Sequence, residues 1–211
     1  MDDMKLLKGT TIIGMVCKDG IILASDKRAT AGYVVSKKEM KIFPIAERMA
    51  VAQAGLVSDA QLLVKLIKAE LRLKDLHTNR DSNVREGANL LGSFLYNNLR
   101  KFSSVPGIVT FLLGGFDSNG PHLYDLGIDG SVMESDDFVA DGSGGMFALG
   151  VLEQDYQKGM SLDEGKKLAV KALTASLKRD TATGNGIDVF TITSDGIQHV
   201  FQKVLEVSVT V

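Results

Sequence analysis

The sequence predicts an α+β fold: a four-layer αββα sandwich, in which two antiparallel sheets lie face to face between two pairs of helices. Segments with strand character come in runs joined by short turns that contain glycine, which favours hairpins over βαβ units. Two helical segments follow the first run of strands, and two more precede the last. Two facing sheets with a helix pair on each outer side would bury every apolar face.

The strands are predicted from their apolar and β-branched residues. Residues 10–17 and 21–25 indicate a hairpin around the turn Lys18-Asp19-Gly20. Residues 33–36 and 41–45 have the pattern of a second pair across a charged turn. The other strands are predicted at 49–54, at 108–113 and 122–126 across the turn Asp117-Ser118-Asn119-Gly120, and at 187–193 and 197–202 across the turn Ser194-Asp195-Gly196.

Four helices are predicted from the helical spacing of apolar residues and from their start signals. Ser58-Asp59-Ala60-Gln61 has the pattern of a capping box at the start of the first helix, and Asn83-Val84-Arg85-Glu86 marks the start of the second. The third is predicted at about 146–156. Another capping box, Ser161-Leu162-Asp163-Glu164, precedes a fourth helix that reaches Lys178.

Composition limits the possible classes of function. A net charge of -2 gives no electrostatic reason to expect nucleic acid or an anionic membrane as a partner. No apolar run reaches the roughly 20 residues that span a bilayer. The 3 histidines lie far apart without the spacing of a metal site, and the single cysteine, Cys17, indicates a reducing compartment. Without a linker or repeat, the 211 residues predict one domain.

Antiparallel pairing would bring charged residues close to Thr10. If the first hairpin is centred on Lys18-Asp19-Gly20, Thr10 lies opposite residues near 28. Asp26 and Arg28 would then point to one face and Lys27 to the other. Charged residues at strand ends are usually solvated, so this geometry alone leaves open that Thr10 is only the first residue of a strand.

A series of motifs follows in order from Gly9 to about Thr193. They are Gly9-Thr10-Thr11-Ile12-Ile13-Gly14 with residues 18–30, Lys41-Ile42-Phe43, residues 54–61, Leu113-Gly114-Gly115-Phe116-Asp117, Gly142-Ser143-Gly144, Gly150-Val151-Leu152-Glu153, and residues 179–188. Together they resemble the β subunits of the 20S proteasome, and a leader of nine residues before Thr10 is similar to that of archaeal β subunits. The resemblance implies the fold of the N-terminal nucleophile hydrolases.

The same resemblance implies a threonine peptidase. Residues 1–9 would be a propeptide that is removed autocatalytically at the Gly9–Thr10 bond, and 10–211 the peptidase domain. A free α-amine has a pKa of about 7.7–8.0 and a lysine about 10.4, so the amine released on Thr10 is the better base at neutral pH. Lys41 matches the family's active-site lysine, and Asp26 matches the acidic partner of that lysine.

Further residues are matched to supporting roles by the resemblance. Arg28 would support the Asp26–Lys41 pair, and the backbone N–H of Gly55 would be the oxyanion donor. Ser143, Asp180 and Thr183 match a polar cluster around the new N-terminus, although Thr183 stands where serine is usual. The pocket for the residue before the cut bond would be lined by Ala29, Thr30, Met40, Gln53 and Val57. These residues predict cleavage after large apolar side chains.

The implied assembly is a ring of β subunits, seven-membered in the family, stacked on a second β ring and flanked by rings of α subunits. Unfolded polypeptide would be delivered by an ATP-dependent unfoldase, in the cytoplasm and without a metal or organic cofactor. Two alternatives remain: a ring subunit that never matures and is only structural, and a different N-terminal nucleophile hydrolase acting on a small molecule. Gly142-Ser143-Gly144-Gly145 could also form a phosphate cradle, but it lacks the lysine of a P-loop.

Overall fold

The computed structural model describes residues 9–31 and 33–205. Sixteen elements are seen in this part of the chain: β1 (Ile12–Cys17), β2 (Gly20–Asp26), β3 (Ala29–Thr30), β4 (Val34–Ser36), β5 (Ile42–Ala46), β6 (Met49–Gly55), α1 (Val57–Thr78), α2 (Val84–Arg100), β7 (Val109–Asp117), β8 (Gly120–Leu126), β9 (Val132–Ser135), β10 (Phe138–Asp141), α3 (Gly145–Asp155), α4 (Leu162–Arg179), β11 (Gly186–Thr193) and β12 (Gly196–Val204).

Two five-stranded antiparallel sheets form the centre of the molecule. One has the strand order β10-β1-β2-β11-β12, and the other has the order β5-β6-β7-β8-β9. β3 and β4 form a separate two-stranded ribbon. The α+β class and the antiparallel sandwich predicted from the sequence are confirmed.

Three apolar clusters hold the four layers together. The first packs α1 and α2 on the β5–β9 sheet and includes Ile67, Leu91 and Phe111. The second packs α3 and α4 on the other sheet and includes Leu152 and Leu173. The third lies between the sheets and includes Ile12, Ile21, Leu23, Leu112, Leu123 and Phe190. Because successive strand residues point to opposite faces, β1 and β2 contribute to both clusters that touch their sheet and are buried almost throughout.

Of the three start signals predicted at helix N-termini, two form capping boxes and one does not. The capping boxes at Asn83 and Ser161 are both present, with reciprocal hydrogen bonds to Glu86 and Glu164. The predicted capping box at Ser58 is wrong, because α1 already begins at Val57, and its N-cap, Leu56, makes no side-chain cap. Ser58 therefore lies inside the first turn instead of ahead of it.

None of the helices in the described ranges is long and apolar enough to cross a membrane.

Replacing Asn83 with Ala should lower the free energy of unfolding by about 1 kcal/mol, because the N–H of Glu86 loses its side-chain acceptor at the helix end. Ser58→Ala is the matched control, since the exposed Ser58 caps no helix. Urea unfolding followed by circular dichroism measures both. Equal losses in the two variants would contradict this assignment of the caps.

The first hairpin has a register one residue away from the prediction. Cys17 pairs with Gly20 across the two-residue turn Lys18-Asp19, and Ile12 pairs with Ser25. The predicted register assumed a turn centred on Asp19, whereas Gly20 is already the first residue of β2. As a result Asp26 lies opposite Thr11, whereas the predicted register would place it opposite Ile12, and the N–H of Asp26 donates to the carbonyl of Thr11.

The second predicted strand pair is also wrong. β4 pairs with β3, and β5 pairs with β6 at the edge of the other sheet. The burial of the side chains gives the reason: Ile42 and Ile45 of β5 are buried in the core, whereas Val34 and Val35 of β4 are exposed. The two segments therefore share no apolar face.

Two consecutive strands that the sequence did not predict, β9 and β10, connect the two sheets. β9 is an edge strand of one sheet and β10 of the other, where it pairs with β1 and sets Asp141 opposite Ile12. The acidic residues Glu134, Asp136 and Asp137 interrupt the apolar pattern and conceal these strands in the sequence. Because β10 runs beside β1, the residues that follow it are brought to Thr10.

Candidate active site

Thr10 lies just before β1 and is 7% exposed. Its Oγ1 donates a hydrogen bond to the carbonyl oxygen of Gly9 at 2.6 Å. The same Oγ1 accepts a hydrogen bond from Nζ of Lys41 at 3.1 Å, and Nζ is 3.4 Å from the Gly9 carbonyl oxygen. The hydroxyl, the ammonium and the carbonyl that precedes Thr10 therefore form one compact group.

Lys41 and Asp26 form a buried ion pair next to this hydroxyl. Nζ of Lys41 is 2.6 Å from Oδ1 of Asp26, and the two side chains are 4% and 0% exposed. Backbone N–H groups of Thr11, Arg28 and Gly184 also donate to the Asp26 carboxylate, at 2.9–3.0 Å. These bonds satisfy a fully buried carboxylate and fix its position.

The position of Lys41 affects its acidity. Burial lowers the pKa of Lys41 below that of an ordinary lysine, because the charged form loses its hydration, and the Asp26 carboxylate limits the decrease. A lysine in this environment gives up its proton more readily than an exposed one. The ammonium is also aimed at Thr10 Oγ1, where a positive charge eases loss of the hydroxyl proton.

A second buried ion pair lies on the opposite face of the same segment. Lys27 binds Asp188 of β11, and both side chains are buried. His199 approaches the other carboxylate oxygen of Asp188 at 3.1 Å and stacks on Phe190. The prediction that Lys27 points away from Asp26 agrees with this arrangement, which makes no contact with Thr10.

A chain of hydroxyl groups surrounds the backbone nitrogen of Thr10. The N–H of Thr10 points to Oγ of Ser143 at 3.4 Å, and this Oγ donates to Oδ2 of Asp180 at 2.5 Å. Thr183 Oγ1 donates to the same carboxylate oxygen at 2.5 Å. A hydroxyl carries one proton, so the 2.7 Å contact between Thr183 and Thr11 must be donated by Thr11. Thr183 therefore bonds Asp180 and Thr11 in the uncleaved chain, and none of the described hydrogen bonds joins it to the Thr10 nitrogen.

Asp180 has two functions in the structure. It ends α4 as the C-cap residue, and its carboxylate accepts from Ser143, Thr183 and the N–H of Ala182. Burial by itself raises the pKa of Asp180, but these hydrogen bonds outweigh it and lower the pKa below the ordinary value. A carboxylate at this position repels anions, which argues against a phosphate cradle at residues 142–145.

Arg28 holds the loop between α4 and β11. Its Nε donates to Oδ1 of Asn185 at 2.8 Å and its Nη1 to the carbonyl of Thr181 at 2.6 Å. The same loop supplies Gly184, whose N–H binds Asp26. Arg28 therefore supports the Asp26–Lys41 pair through the loop, and none of the described hydrogen bonds joins its guanidinium to that pair.

Two glycines are required by close approach of the backbone. A Cβ on Gly9 would lie 2.0 Å from the carbonyl oxygen of Ala182, so only glycine fits before Thr10 in this arrangement. Gly55 has a φ of +120°, and a Cβ there would lie 2.4 Å from the carbonyl oxygen of Ile108. Gly55 lies at the end of β6, facing the same cleft as Thr10.

We call this depression the Thr10 cleft. Its lining residues are Gly9, Thr10, Arg28, Ala29, Thr30, Glu39, Lys41, Gln53, Gly55 and Val57. Four of the five predicted pocket residues are among them: Ala29, Thr30, Gln53 and Val57. Met40 is the exception, being 44% exposed and outside the lining. Its neighbour Glu39 lines the cleft instead.

Two residues of the site, Glu39 and Thr11, were not predicted from the sequence. Glu39 lies two residues before Lys41, and alternate residues of extended backbone point to the same side. This spacing could have indicated that Glu39 lies in the site together with Lys41. Thr11 was overlooked because its role depends on the one-residue shift in the hairpin register.

Within the described ranges, no group of three or more His, Cys, Asp and Glu side chains could hold a metal ion.

Comparison with known proteins agrees with this fold and identifies a family. The family profile described as Proteasome subunit matches residues 6–192. The proteasome subunit beta of Archaeoglobus profundus is 44% identical over 193 residues, which are 91% of this chain and 88% of that protein. The proteasome subunit beta of Methanohalophilus mahii is 43% identical over 211 residues, 98% of this chain and 99% of the relative. This chain belongs to the proteasome subunit family, with archaeal β subunits among its relatives.

Proposed function

We propose that this protein is a threonine endopeptidase subunit of a 20S proteasome core, in which Thr10 is the nucleophile after residues 1–9 have been removed. The observation that carries the proposal is the Lys41 ammonium, which hydrogen bonds both Thr10 Oγ1 and Asp26 in a buried site. A hydroxyl at the start of a strand that only stabilised the fold would need no buried lysine beside it. A buried charge is costly, and here it is directed at a potential nucleophile.

Removal of the leader would use the same hydroxyl. Thr10 Oγ1 attacks the carbonyl carbon of Gly9, the Gly9–Thr10 amide bond breaks, and Gly9 is held briefly as an ester on Oγ1. Since Nζ of Lys41 is 3.4 Å from the Gly9 oxygen, its charge can stabilise the oxyanion that forms there. Before cleavage the Thr10 nitrogen is an amide and cannot act as the base, so water or a nearby group takes the hydroxyl proton. The same group delivers a proton to the Thr10 nitrogen as the amide bond breaks. Water then hydrolyses the ester.

Each later turnover would use the released α-amine. With a pKa near that of a free α-amine, about 7.7–8.0, it can accept the Thr10 proton at neutral pH. Ser143, which lies at the Thr10 nitrogen in the uncleaved chain, would orient this amine, and Asp180 would hold Ser143 in place. Lys41 remains charged beside Oγ1, and Asp26 holds it there. The N–H of Gly55 is the proposed oxyanion donor for substrates.

The proposed assembly follows from the family and is supported by exposed apolar side chains. Tyr33, Val34 and Val35 are exposed on and beside β4, and Met146 and Phe147 on α3. Apolar side chains exposed in groups commonly mark contacts with other subunits. We propose a seven-membered β ring that stacks on a second β ring and on α-subunit rings, receives unfolded polypeptide from an ATP-dependent unfoldase, and works in the cytoplasm.

The intact mass of the purified protein, measured with and without cognate α subunits, tests the proposal. We expect assembly with α subunits to produce a chain that begins at Thr10 and to produce peptidase activity in the same fractions. A fully assembled particle that retains residues 1–9 and cleaves no peptide would instead identify a purely structural ring subunit. Processing and activity in a free monomer would point to a different hydrolase of the same fold.

A further inference from the structure

The Thr10 cleft contains a buried hydrogen-bond acceptor that has no partner. Gln53 is 5% exposed, and its side-chain oxygen Oε1 makes no hydrogen bond. A buried polar atom without a partner destabilises the fold, and such atoms are uncommon in folded proteins. The side chain lines the cleft that contains the Thr10 hydroxyl. An acceptor in this position is satisfied when a bound molecule brings a donor.

Glu39 adds a negative charge to the same cleft. It lines the cleft and forms none of the ion pairs found in the described part of the chain, and its negative charge acts to raise the pKa of Lys41. The backbone N–H of Glu39 donates to the carbonyl of Lys27 at 3.0 Å, which fixes the segment that carries it. The cleft therefore offers a carboxylate together with the Gln53 oxygen.

The two cations that line the cleft are already engaged. Lys41 is neutralised by Asp26, and the Arg28 donors Nε and Nη1 are used on the loop between α4 and β11. Gly9, the leader residue that precedes the cut bond, has no side chain that could donate to Gln53.

We infer that the cleft selects a substrate side chain with a cationic, hydrogen-bond-donating end, so that cleavage follows lysine or arginine. Glu39 supplies the opposite charge and Gln53 Oε1 accepts one of the donors. This inference rests on the proposed peptidase function and replaces the apolar preference expected from the sequence, which relied on Met40 as a wall of the pocket. An acidic side chain would meet like charge at Glu39, and an apolar one would leave Gln53 without a partner.

The test uses the assembled, processed particle and fluorogenic peptides that differ only in the residue before the cut bond: Arg, Lys, Leu, Phe or Glu. We expect the highest kcat/KM after Arg or Lys. Glu39→Gln should lower the Arg/Leu ratio of kcat/KM by about tenfold or more, the usual worth of a hydrogen bond to a charged group. Using the ratio removes any shared effect of Glu39 on Lys41. Gln53→Leu should lower the same ratio, because it removes the acceptor at similar volume.

Glu70→Gln is the matched control, since Glu70 is exposed on α1 and outside the cleft lining. It makes the same chemical change and should leave the ratio unaltered. Fastest cleavage after Leu or Phe with a ratio insensitive to Glu39→Gln, or fastest cleavage after Glu, overturns the inference and leaves the peptidase function standing. Failure to cleave any peptide in the panel contradicts the peptidase function, and the inference falls with it.

Discussion

Thr10→Ala should retain residues 1–9 and have no detectable peptidase activity, even in fully assembled rings. In the proposed mechanism, processing and turnover both require Oγ1, the atom that contacts the Gly9 carbonyl and the Lys41 ammonium. Removing it eliminates the nucleophile for both reactions and leaves the fold intact, because alanine fits the space of threonine. Mass spectrometry of the assembled particle and a peptide assay measure the two effects separately.

Thr10→Ser is the matched variant. It keeps the hydroxyl but loses the methyl group that restricts the side-chain rotamer. It should therefore be processed and should cleave peptides, with lower turnover than the parent. The threonine mechanism would be contradicted if Thr10→Ala lost nine residues in a ring without any active subunit, or if it still cleaved peptides.

Replacing Lys41 with Met should lower kcat by about 10²–10⁴-fold, the usual contribution of a group that assists proton transfer. Methionine has a similar length and flexibility without the charge, so the change removes the ammonium from Thr10 and leaves little empty space. Asp26 stays buried and loses its counter-ion, but three backbone N–H groups still bind it. Peptide hydrolysis by purified, assembled particles gives the measurement.

Lys27→Met is the control for stability. It breaks the other buried Lys–Asp pair, Lys27–Asp188, which is similarly buried and makes no contact with Thr10. Breaking a buried ion pair typically costs about 3–5 kcal/mol, so both variants should lower the midpoint of thermal unfolding. Only Lys41→Met should lose turnover in the particles that assemble. A comparable loss of kcat in Lys27→Met, or near-normal turnover in Lys41→Met, would remove Lys41 from the mechanism.

The sequence predicted the fold more completely than the details of strand pairing. Glycine-containing turns and helical spacing are local signals, and they were sufficient for the first and last hairpins and for the four helices. The partners of residues 33–36 and 41–45 were assigned wrongly, because pairing depends on which side chains share a core. β9 and β10 were missed because acidic residues interrupt them, although β10 is the strand that brings Ser143 to Thr10.

The sequence by itself determined the α+β class and the family that the motifs resemble. It also determined the candidate active-site residues Thr10, Asp26 and Lys41. These rest on residue types and spacing, which tertiary contacts do not change. Only the tertiary structure decided that Thr11 lies beside Asp26, that Glu39 lines the Thr10 cleft instead of Met40, and that Gln53 Oε1 is left without a partner. The physical reason is that a one-residue change in a turn or an extended segment reverses which side chains face the site, and only packing of the two sheets fixes that choice.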